Sequence, residues 1–512
     1  MRFLLVLLAS SFLFIPSILA EQGSIRGTLS KVGDQILLKS QDKSRVIDIS
    51  KEFAFTLDSK VLNSPNYIFE FVGDITDSKV VTKQSPTIVA GDDELVGTLE
   101  KKEDGSLYIG DQKVKFGRTK EIYKISFDQK SKDSFVGKNI IAQGNYLDDA
   151  FEMNAIVLDD LISANTQVQF QVPQGFESDP EEFIIEEMAK NIHSQSMVPF
   201  RAPVYDSKKK VYPGESVLVI TLSGRQGDSP GAAGGHFTVG MGTVQEDMSI
   251  KGEVSNFYFE GPKEVLAGNT DLVSYFGHFI QGQQNYRPTF TLFIYGVDKN
   301  KLKYVRDYLE VENHKVRTEK GLEITPGYNC TTTSNDALRE VGIKGSHRNF
   351  LRTVFDVQNL SLINPLRYGS RNAGTEGTLD TLRTISYALS EDPEHYVPRA
   401  AFNSYVKNFS SKRKNKKLGV KRVDYLFMPQ TPSARQIGGM SYDQPIKEGK
   451  KVIDYDKKRE ARIARENTAK EILESRNSTE EQREWAREVL RNEVSFAEDM
   501  RLVKEFLNNT ID

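Results

Sequence analysis

The segment Ile25-Arg26-Gly27-Thr28-Leu29-Ser30-Lys31 recurs about seventy residues later as Leu95-Val96-Gly97-Thr98-Leu99-Glu100-Lys101. Each copy leads into a Gly/Asp turn, and each later contains an apolar run that ends in glycine, Tyr67–Gly73 and Lys138–Gly144. Alternating apolar and polar residues between such turns are typical of small antiparallel barrels or meanders. The repeat therefore predicts two tandem β-modules that serve as spacers or binding platforms.

The chain has 512 residues, enough for several domains. Its 68 basic and 71 acidic residues leave a net charge of -3, which gives no reason to expect nucleic-acid binding. The predicted organisation is a signal peptide (1–20), β-module 1 (21–92), β-module 2 (93–165), a linker with a helix (166–210), a catalytic domain (211–345), a mixed, partly helical region (346–450) and charged C-terminal helices (451–512).

The N-terminus has the pattern of a secretory signal peptide. Arg2 precedes the apolar run Phe3–Phe14, and the small residue Ala20 marks the expected cleavage point. An uncleaved anchor is the weaker alternative, because Pro16 interrupts a run that is already short for a membrane span. We expect a periplasmic or extracellular protein with no transmembrane span after signal cleavage.

Cys330 is the only cysteine of the chain. A single cysteine in an exported protein is a buried inert thiol, an intermolecular bridge or a reactive thiol. The polar stretch Tyr328–Ser334 leads into Asp336-Ala337-Leu338, which places Cys330 where a loop enters a helix. A helix N-terminus lowers the pKa of a thiol, and its free N–H groups can bind an oxyanion. This context favours the reactive thiol.

A thiol nucleophile needs a histidine base within reach in space. His236 is the first choice, because it follows Gly234-Gly235 at a loop-to-strand junction where a substrate can approach closely. His278 is the second choice. The substrate-binding residues are predicted to be Gly234 and Gly235 in the loop and Asn329 and Thr331 at the helix start. The other histidines are predicted to lie on the surface: His193, His314, His347 and His395.

The order of elements along residues 211–345 resembles a known superfamily. An apolar strand, a Gly-His strand, an Asn-aromatic strand, a helix and an Asn-Cys-x-Thr stretch follow one another as Val217–Leu222, Gly235-His236, Asn256-Phe257-Tyr258, Lys301–Glu312 and Asn329-Cys330-Thr331-Thr332. This order resembles the circularly permuted papain-like, NlpC-related cysteine hydrolases and acyltransferases. It looks closest to the extracytoplasmic domain of Lnb-type lipoprotein transacylases.

The resemblance implies a multidomain α+β protein: tandem small β-modules, then a permuted papain-like α+β domain, then a helical C-terminal region. It also implies that Cys330 is the nucleophile and His236 the base. Asn256 is the implied polar residue that orients the imidazole.

Two functions of different classes follow. The first is an exported cysteine hydrolase or acyltransferase that acts on an amide or ester of a cell-envelope peptide or lipid. The second is a non-catalytic envelope binding or scaffold protein with a degenerate papain-like domain. No cofactor is expected, and no metal site, because the histidines are scattered and lack His-x-x-x-His spacing.

Two charged segments carry no catalytic signal. The basic run Lys412–Lys417, with Lys421-Arg422, is by default a solvated loop. The alternative is contact with anionic lipid or a cell-wall polymer, which would make the protein a peripheral membrane partner. The segment 451–512 predicts a helical hairpin docked on the body, with a partner-binding coiled coil as the alternative.

Overall fold

A computed structural model shows two N-terminal β-barrels, one large sheet and helices packed on that sheet. The structure describes residues 21–33, 35–40, 43–49, 68–82, 86–117, 125–126, 132–165, 170–176, 178–180, 182–183, 199–223, 236–259, 265–279, 289–318, 329–345, 395, 398–428, 434–435, 468–475, 478–480, 482–484 and 486–487.

The N-terminal strands curl into a ring. They are β1 (Glu21–Val32), β2 (Gln35–Ser40), β3 (Lys43–Ile49), β4 (Ile68–Ile75), β5 (Lys79–Thr82) and β6 (Thr87–Val89). The first five follow the order β1-β2-β3-β5-β4, and β4 pairs back onto β1. Leu29, Leu38, Phe71 and Val80 fill the interior.

A closed barrel follows. Its strands are β7 (Asp93–Lys101), β8 (Leu107–Ile109), β9 (Gln112–Phe116), β11 (Asn139–Leu147) and β12 (Ala150–Leu158), with the short β10 (Ile125–Ser126) outside the barrel. The ring order is β11-β12-β9-β8-β7.

The two copies of the sequence repeat have the same strand pairing. In each, the first strand pairs antiparallel with the second and the fourth, and the third pairs parallel with the fifth. Gly73 and Gly144 lie within equivalent strands, and a Cβ at either would collide with a carbonyl oxygen of the neighbouring strand, that of Val81 or Glu152. Glycine therefore recurs in the repeat because the backbones approach closely there.

A large sheet occupies the centre of the molecule. Its strands are β13 (Phe200–Asp206), β14 (Ser216–Ser223), β15 (His236–Val244), β16 (Ile250–Phe259), β17 (Val265–Asp271), β18 (Thr289–Tyr295) and β19 (Arg422–Met428), while β20 (Ala434–Arg435) pairs with β10. The order is β17-β16-β15-β14-β18-β19-β13. Because β17 pairs parallel with β6, this sheet and the N-terminal strands form one sheet of 13 strands.

Helices cover this sheet on both faces. They are α1 (Leu272–Gly277), α2 (Lys299–Thr318), α3 (Cys330–Glu340), α4 (Pro398–Phe409) and α5 (Lys412–Leu418). Helices α2, α3 and α4 pack on one face around one apolar cluster. On the opposite face, α1 packs together with β11, β12 and the turn at Asp159–Ile162 around a second cluster.

The fold class predicted from the sequence is wrong. Strands make up 47% of the described residues and helices 28%, so the protein is mostly β rather than a papain-like α+β domain followed by helices. The physical reason is long-range pairing: the central sheet recruits β6, β13 and β19, which lie outside 211–345 in sequence. The predicted domain boundaries stay predictions.

Several predicted segments lie outside the described residues, namely the signal peptide, the bulk of 346–394 and most of 451–512. Residues 468–474 are helical, and Ala469 is buried with Ala486. Among the helices of the described part of the chain, none combines the length and apolarity needed to cross a bilayer.

Helix α2 docks on the sheet through polar contacts. Its Asn313 donates to Ser255 over 3.1 Å, and its Glu310 accepts from Asn269 over 3.3 Å. Burial raises the pKa of Glu310 to about 7, with Glu253 adding to the shift and Arg306 opposing it. Deprotonating Glu310 therefore costs more in the folded chain than in the unfolded chain.

We expect Glu310 to make the protein less stable as the pH rises from about 4.5 to about 7, because the folded state holds the proton longer than the unfolded state. Glu310→Gln should remove this slope and raise the free energy of unfolding by about 3 kcal/mol above pH 7. Urea unfolding at several pH values measures the free energy of unfolding of both proteins. If it changed with pH equally in the wild type and the variant, the raised pKa of Glu310 would be contradicted.

A buried ion network ties β13 to β19. Arg201 donates to the carboxylate of Asp424 through Nε over 3.0 Å, and Arg422 also contacts that carboxylate at 2.9 Å. Arg201 further donates to the Tyr295 hydroxyl and to the carbonyl of Ser163. All the charged groups of this network are at least nine-tenths buried, so each depends on its partners for solvation.

Asp424→Asn should lower the free energy of unfolding by about 3 to 5 kcal/mol, because two buried guanidinium groups lose their carboxylate. Chemical denaturation of the full chain measures the change. Asp149→Asn is the matched control, since it breaks an exposed ion pair with Lys113 and should leave the midpoint unchanged. A similar small effect for both variants would mean that the buried network adds no stability.

Candidate functional site

His236 and Asn256 form a buried hydrogen-bonded pair. His236 is the first residue of β15, and Asn256 lies on the adjacent strand β16. Nε2 of His236 is 3.0 Å from Oδ1 of Asn256, and the two residues are only 8% and 2% exposed. Burial protects this contact from competition by water, so it fixes the orientation of the imidazole.

The orientation of the Asn256 side-chain amide determines which nitrogen of His236 carries the proton. Nδ2 of Asn256 donates to Oγ1 of Thr270 over 3.3 Å, which directs Oδ1 toward the imidazole. A carbonyl oxygen can only accept, so Nε2 of His236 must donate. In the neutral imidazole, Nδ1 is then the basic nitrogen.

Cys330 is the first residue of helix α3, and its side chain is half-buried. Asn329 caps the helix: its Oδ1 accepts from the N–H groups of Thr331 and Thr332 over 2.7 and 3.1 Å. In return, Oγ1 of Thr332 accepts from the N–H of Asn329 over 2.8 Å, which completes a capping box. The sequence thus starts the helix at the cysteine, where the helix dipole favours a thiolate.

The cap narrows the choice of oxyanion donors. The N–H groups of Thr331 and Thr332 are committed to Asn329. The expectation that the N–H groups of this helix start bind an oxyanion therefore loses these two donors. Thr331 itself is fully buried, and its Oγ1 lies 3.9 Å from Sγ of Cys330.

Helix α3 begins at the same end of the sheet as β15. The C-terminal end of α3 adjoins the start of α2, since Lys301 donates to the carbonyl of Val341 over 2.9 Å. Near the start of α3, Asn335 accepts from the Tyr405 hydroxyl over 2.8 Å, and the Tyr405 ring stacks on Phe237 with centroids 6.0 Å apart. This chain of contacts links the first turns of α3 to the first residues of β15.

The body of helix α3 and the imidazole of His236 lie on opposite faces of that sheet. Phe237 packs in the cluster beneath α3 and α4, whereas Thr238 donates to the Tyr275 hydroxyl on the α1 face. His236 shares the face of Thr238, because side chains alternate along a strand. A direct approach between Cys330 and His236 therefore has to occur around the end of β15 rather than across the face of the sheet.

Buried hydroxyl groups lie on the same face of the sheet as His236. The Tyr275 hydroxyl is 3.1 Å from Thr238 and 3.2 Å from Ser223, the last residue of β14. Sequence reasoning missed these groups and Thr270. The sequence signal that could have found them is a polar residue, such as Ser223 or Thr238, within an otherwise apolar strand.

The remaining residues that the sequence singled out lie partly outside the described residues and partly away from His236 and Asn256. Gly234 and Gly235 lie outside the described residues. His278 follows α1 and donates its backbone N–H to Ser274. His395, predicted at the surface, has a side chain only 15% exposed, and its Nε2 lies 3.4 Å from Asp336 on α3. Burial raises the pKa of that aspartate, while His395 opposes the shift.

Within the described part of the chain, no group of three or more His, Cys, Asp or Glu side chains could hold a metal ion. Comparison with protein-family models, curated proteins and solved structures finds no match for this chain. The geometry of the site is therefore the basis for assigning a function.

Asn329→Ala should destabilise the protein by about 1 kcal/mol, because the first turn of α3 loses its side-chain cap. Asn329→Ser, which can still accept from these N–H groups, should recover most of the loss. Urea unfolding compares the three proteins. The cap would be irrelevant to stability if Ala and Ser behaved alike.

Proposed function

We propose that the protein is an exported cysteine-dependent hydrolase or acyltransferase acting on an amide or ester of the cell envelope. In this proposal Cys330 is the nucleophile, His236 is the base and Asn256 orients the imidazole. The observation that carries it is the buried hydrogen bond between His236 and Asn256, at the end of the sheet where Cys330 starts a capped helix.

The protonation of His236 at Nε2 supports a specific path for the thiol proton. With Nε2 of His236 donating to Asn256, Nδ1 takes the proton of the Cys330 thiol. The hydrogen bond to Asn256 holds the imidazolium that forms and keeps its ring in one orientation. The helix dipole at the start of α3 stabilises the thiolate.

The acyl-transfer steps then balance. The Cys330 thiolate attacks the carbonyl carbon, and the oxyanion develops at the start of α3, where the helix dipole favours negative charge. The tetrahedral intermediate collapses as Nδ1 of His236 protonates the leaving amine or alcohol, which leaves a thioester on Cys330. Water or an acceptor amine gives its proton to Nδ1, attacks the thioester and releases the acyl product.

The proposal concerns the chemistry of the site and not the fold implied by the resemblance. The chain order of His236, Asn256 and Cys330 still supports kinship with the permuted cysteine hydrolases and acyltransferases as a proposal. The export signal supports an envelope peptide or lipid as the substrate.

We expect iodoacetamide to alkylate Cys330 with an apparent pKa well below about 8.5, because the imidazole and the helix start both favour the thiolate. His236→Ala should raise this pKa, and Asn256→Ala should raise it by less. The pH dependence of the alkylation rate reports on Cys330 alone, since Cys330 is the only cysteine of the chain. His278→Gln is the matched control and should leave the profile unchanged.

An ordinary thiol pKa in all four proteins would overturn the thiolate–imidazole pair and favour the non-catalytic scaffold. Mass spectrometry after incubation with an activated ester tests the next step. An enzyme of this kind gains one acyl group on Cys330, whereas Cys330→Ser remains folded and does not accumulate a thioester.

A further inference from the structure

Two basic segments far apart in sequence meet at one end of the sheet. One is the loop after β13, with Lys208, Lys209 and Lys210 exposed, and the other is helix α5 (Lys412–Leu418). The segment 411–419 contains no acidic residue, and the two acidic residues that flank the loop 207–214 pair with single lysines, Asp206 with Lys208 and Glu215 with Lys421.

Lys421 joins the two segments. Its Nζ donates to the carbonyl of Lys210 over 3.2 Å, and its carbonyl accepts from the N–H of Ser207 over 2.9 Å. The Gly419 cap turns the chain from α5 directly into this contact, because Val420 donates back to Asn415. Lys421 therefore brings the end of α5 next to the loop, and we call the exposed basic side chains of both segments the basic patch: Lys208, Lys209, Lys210, Lys412, Arg413, Lys414, Lys416 and Lys417.

An exposed aromatic side chain lies within the basic patch. Tyr212 is 55% exposed, and Nζ of Lys421 is 5.3 Å from its ring centroid. Tyrosine among lysines is the composition of a membrane–water interface, where the ring lies at the level of the headgroups. The net charge of the whole chain is only -3, so the patch is a local concentration of positive charge.

We propose that the basic patch docks the protein peripherally on an anionic phospholipid surface. The lysines and the arginine would contact headgroup phosphates, and Tyr212 would enter the interfacial layer. A lipid surface fits better than a soluble polyanion, because the patch combines spread charge with an exposed aromatic ring. The proposal goes beyond the proposed acyl-transfer function and does not depend on it.

Docking in this way also orients the molecule. The patch adjoins Asp206 and Arg422, at the end of the sheet where β13 ends and β19 begins. Ser223 and His236 pair at the opposite end. Strand β14 spans eight residues between these ends, about 23 Å. The end that carries Cys330 and His236 therefore points away from the bilayer, toward peptides or polymers beyond it.

The test uses the full chain and two kinds of vesicle, phosphatidylcholine alone and phosphatidylcholine mixed with phosphatidylglycerol. We expect binding to the anionic vesicles only, weakening as salt is added. Reversing three charges of the patch (Lys412→Glu, Lys416→Glu and Lys417→Glu) should weaken binding by roughly a hundredfold or more. The matched control reverses three exposed lysines of the second barrel (Lys101→Glu, Lys102→Glu and Lys138→Glu) and should bind far better than the patch variant.

Equal losses in the two triple variants would show that net charge alone drives binding and would overturn the proposal. Binding to polyphosphate without binding to anionic vesicles would overturn it in favour of a polyanion site. Tyr212→Ser provides a second variant, and it should weaken vesicle binding without altering the net charge.

The orientation has its own readout. Alkylation of Cys330 by a charged, membrane-impermeant reagent should proceed at the same rate on free and vesicle-bound protein. A marked slowing on the vesicles would mean that the Cys330 end faces the bilayer. Because this measurement needs no turnover, it stays separate from the success or failure of the proposed enzyme activity.

Discussion

Three strands at the centre of the molecule, β14, β18 and β19, are buried on both faces, and this constraint organises the rest of the fold. Antiparallel strands commonly keep one face in water, so both of these faces must be covered by other elements. Helices α2 to α4 cover one face, and α1 with the second barrel covers the other.

The double covering also determines where chemistry can occur. Helix α3 must lie on the α2–α4 side, while the alternation of β15 turns His236 toward α1. The polar groups of the candidate site therefore gather at the end of the strands, around the first residues of β15. The His236–Asn256–Thr270 series of hydrogen bonds satisfies polar side chains that would otherwise be costly at this depth.

Local sequence patterns predicted individual elements well. The apolar run Val217–Leu222 lies within β14, and the helix predicted over Lys301–Glu312 lies within α2. The Asn329–Thr332 pattern carries its own capping chemistry, so the start of α3 is encoded within four residues. Such features depend on neighbours in sequence, which is why they can be read without a structure.

The arrangement of those elements could not be predicted in the same way. Nothing near Thr87 indicates that it pairs beside Asn269, and nothing near Phe200 points to Phe427. The buried contacts of Asn256 with His236 and Thr270 likewise depend on three strands coming together. Helix propensity in the charged C-terminal segments favoured a helix-rich fold class. The observed fold is mostly β because strands far apart in sequence pair with one another.

The closing contact of the large sheet, between Arg201 and Asp424, joins residues 223 positions apart. Each N-terminal ring, by contrast, is completed within its own short stretch of chain. Loop-closure entropy makes the local rings fast to form and the distant strand pair slow. We therefore expect the two N-terminal β-units to form early and β13, at the edge of the large sheet, to pair with β19 last.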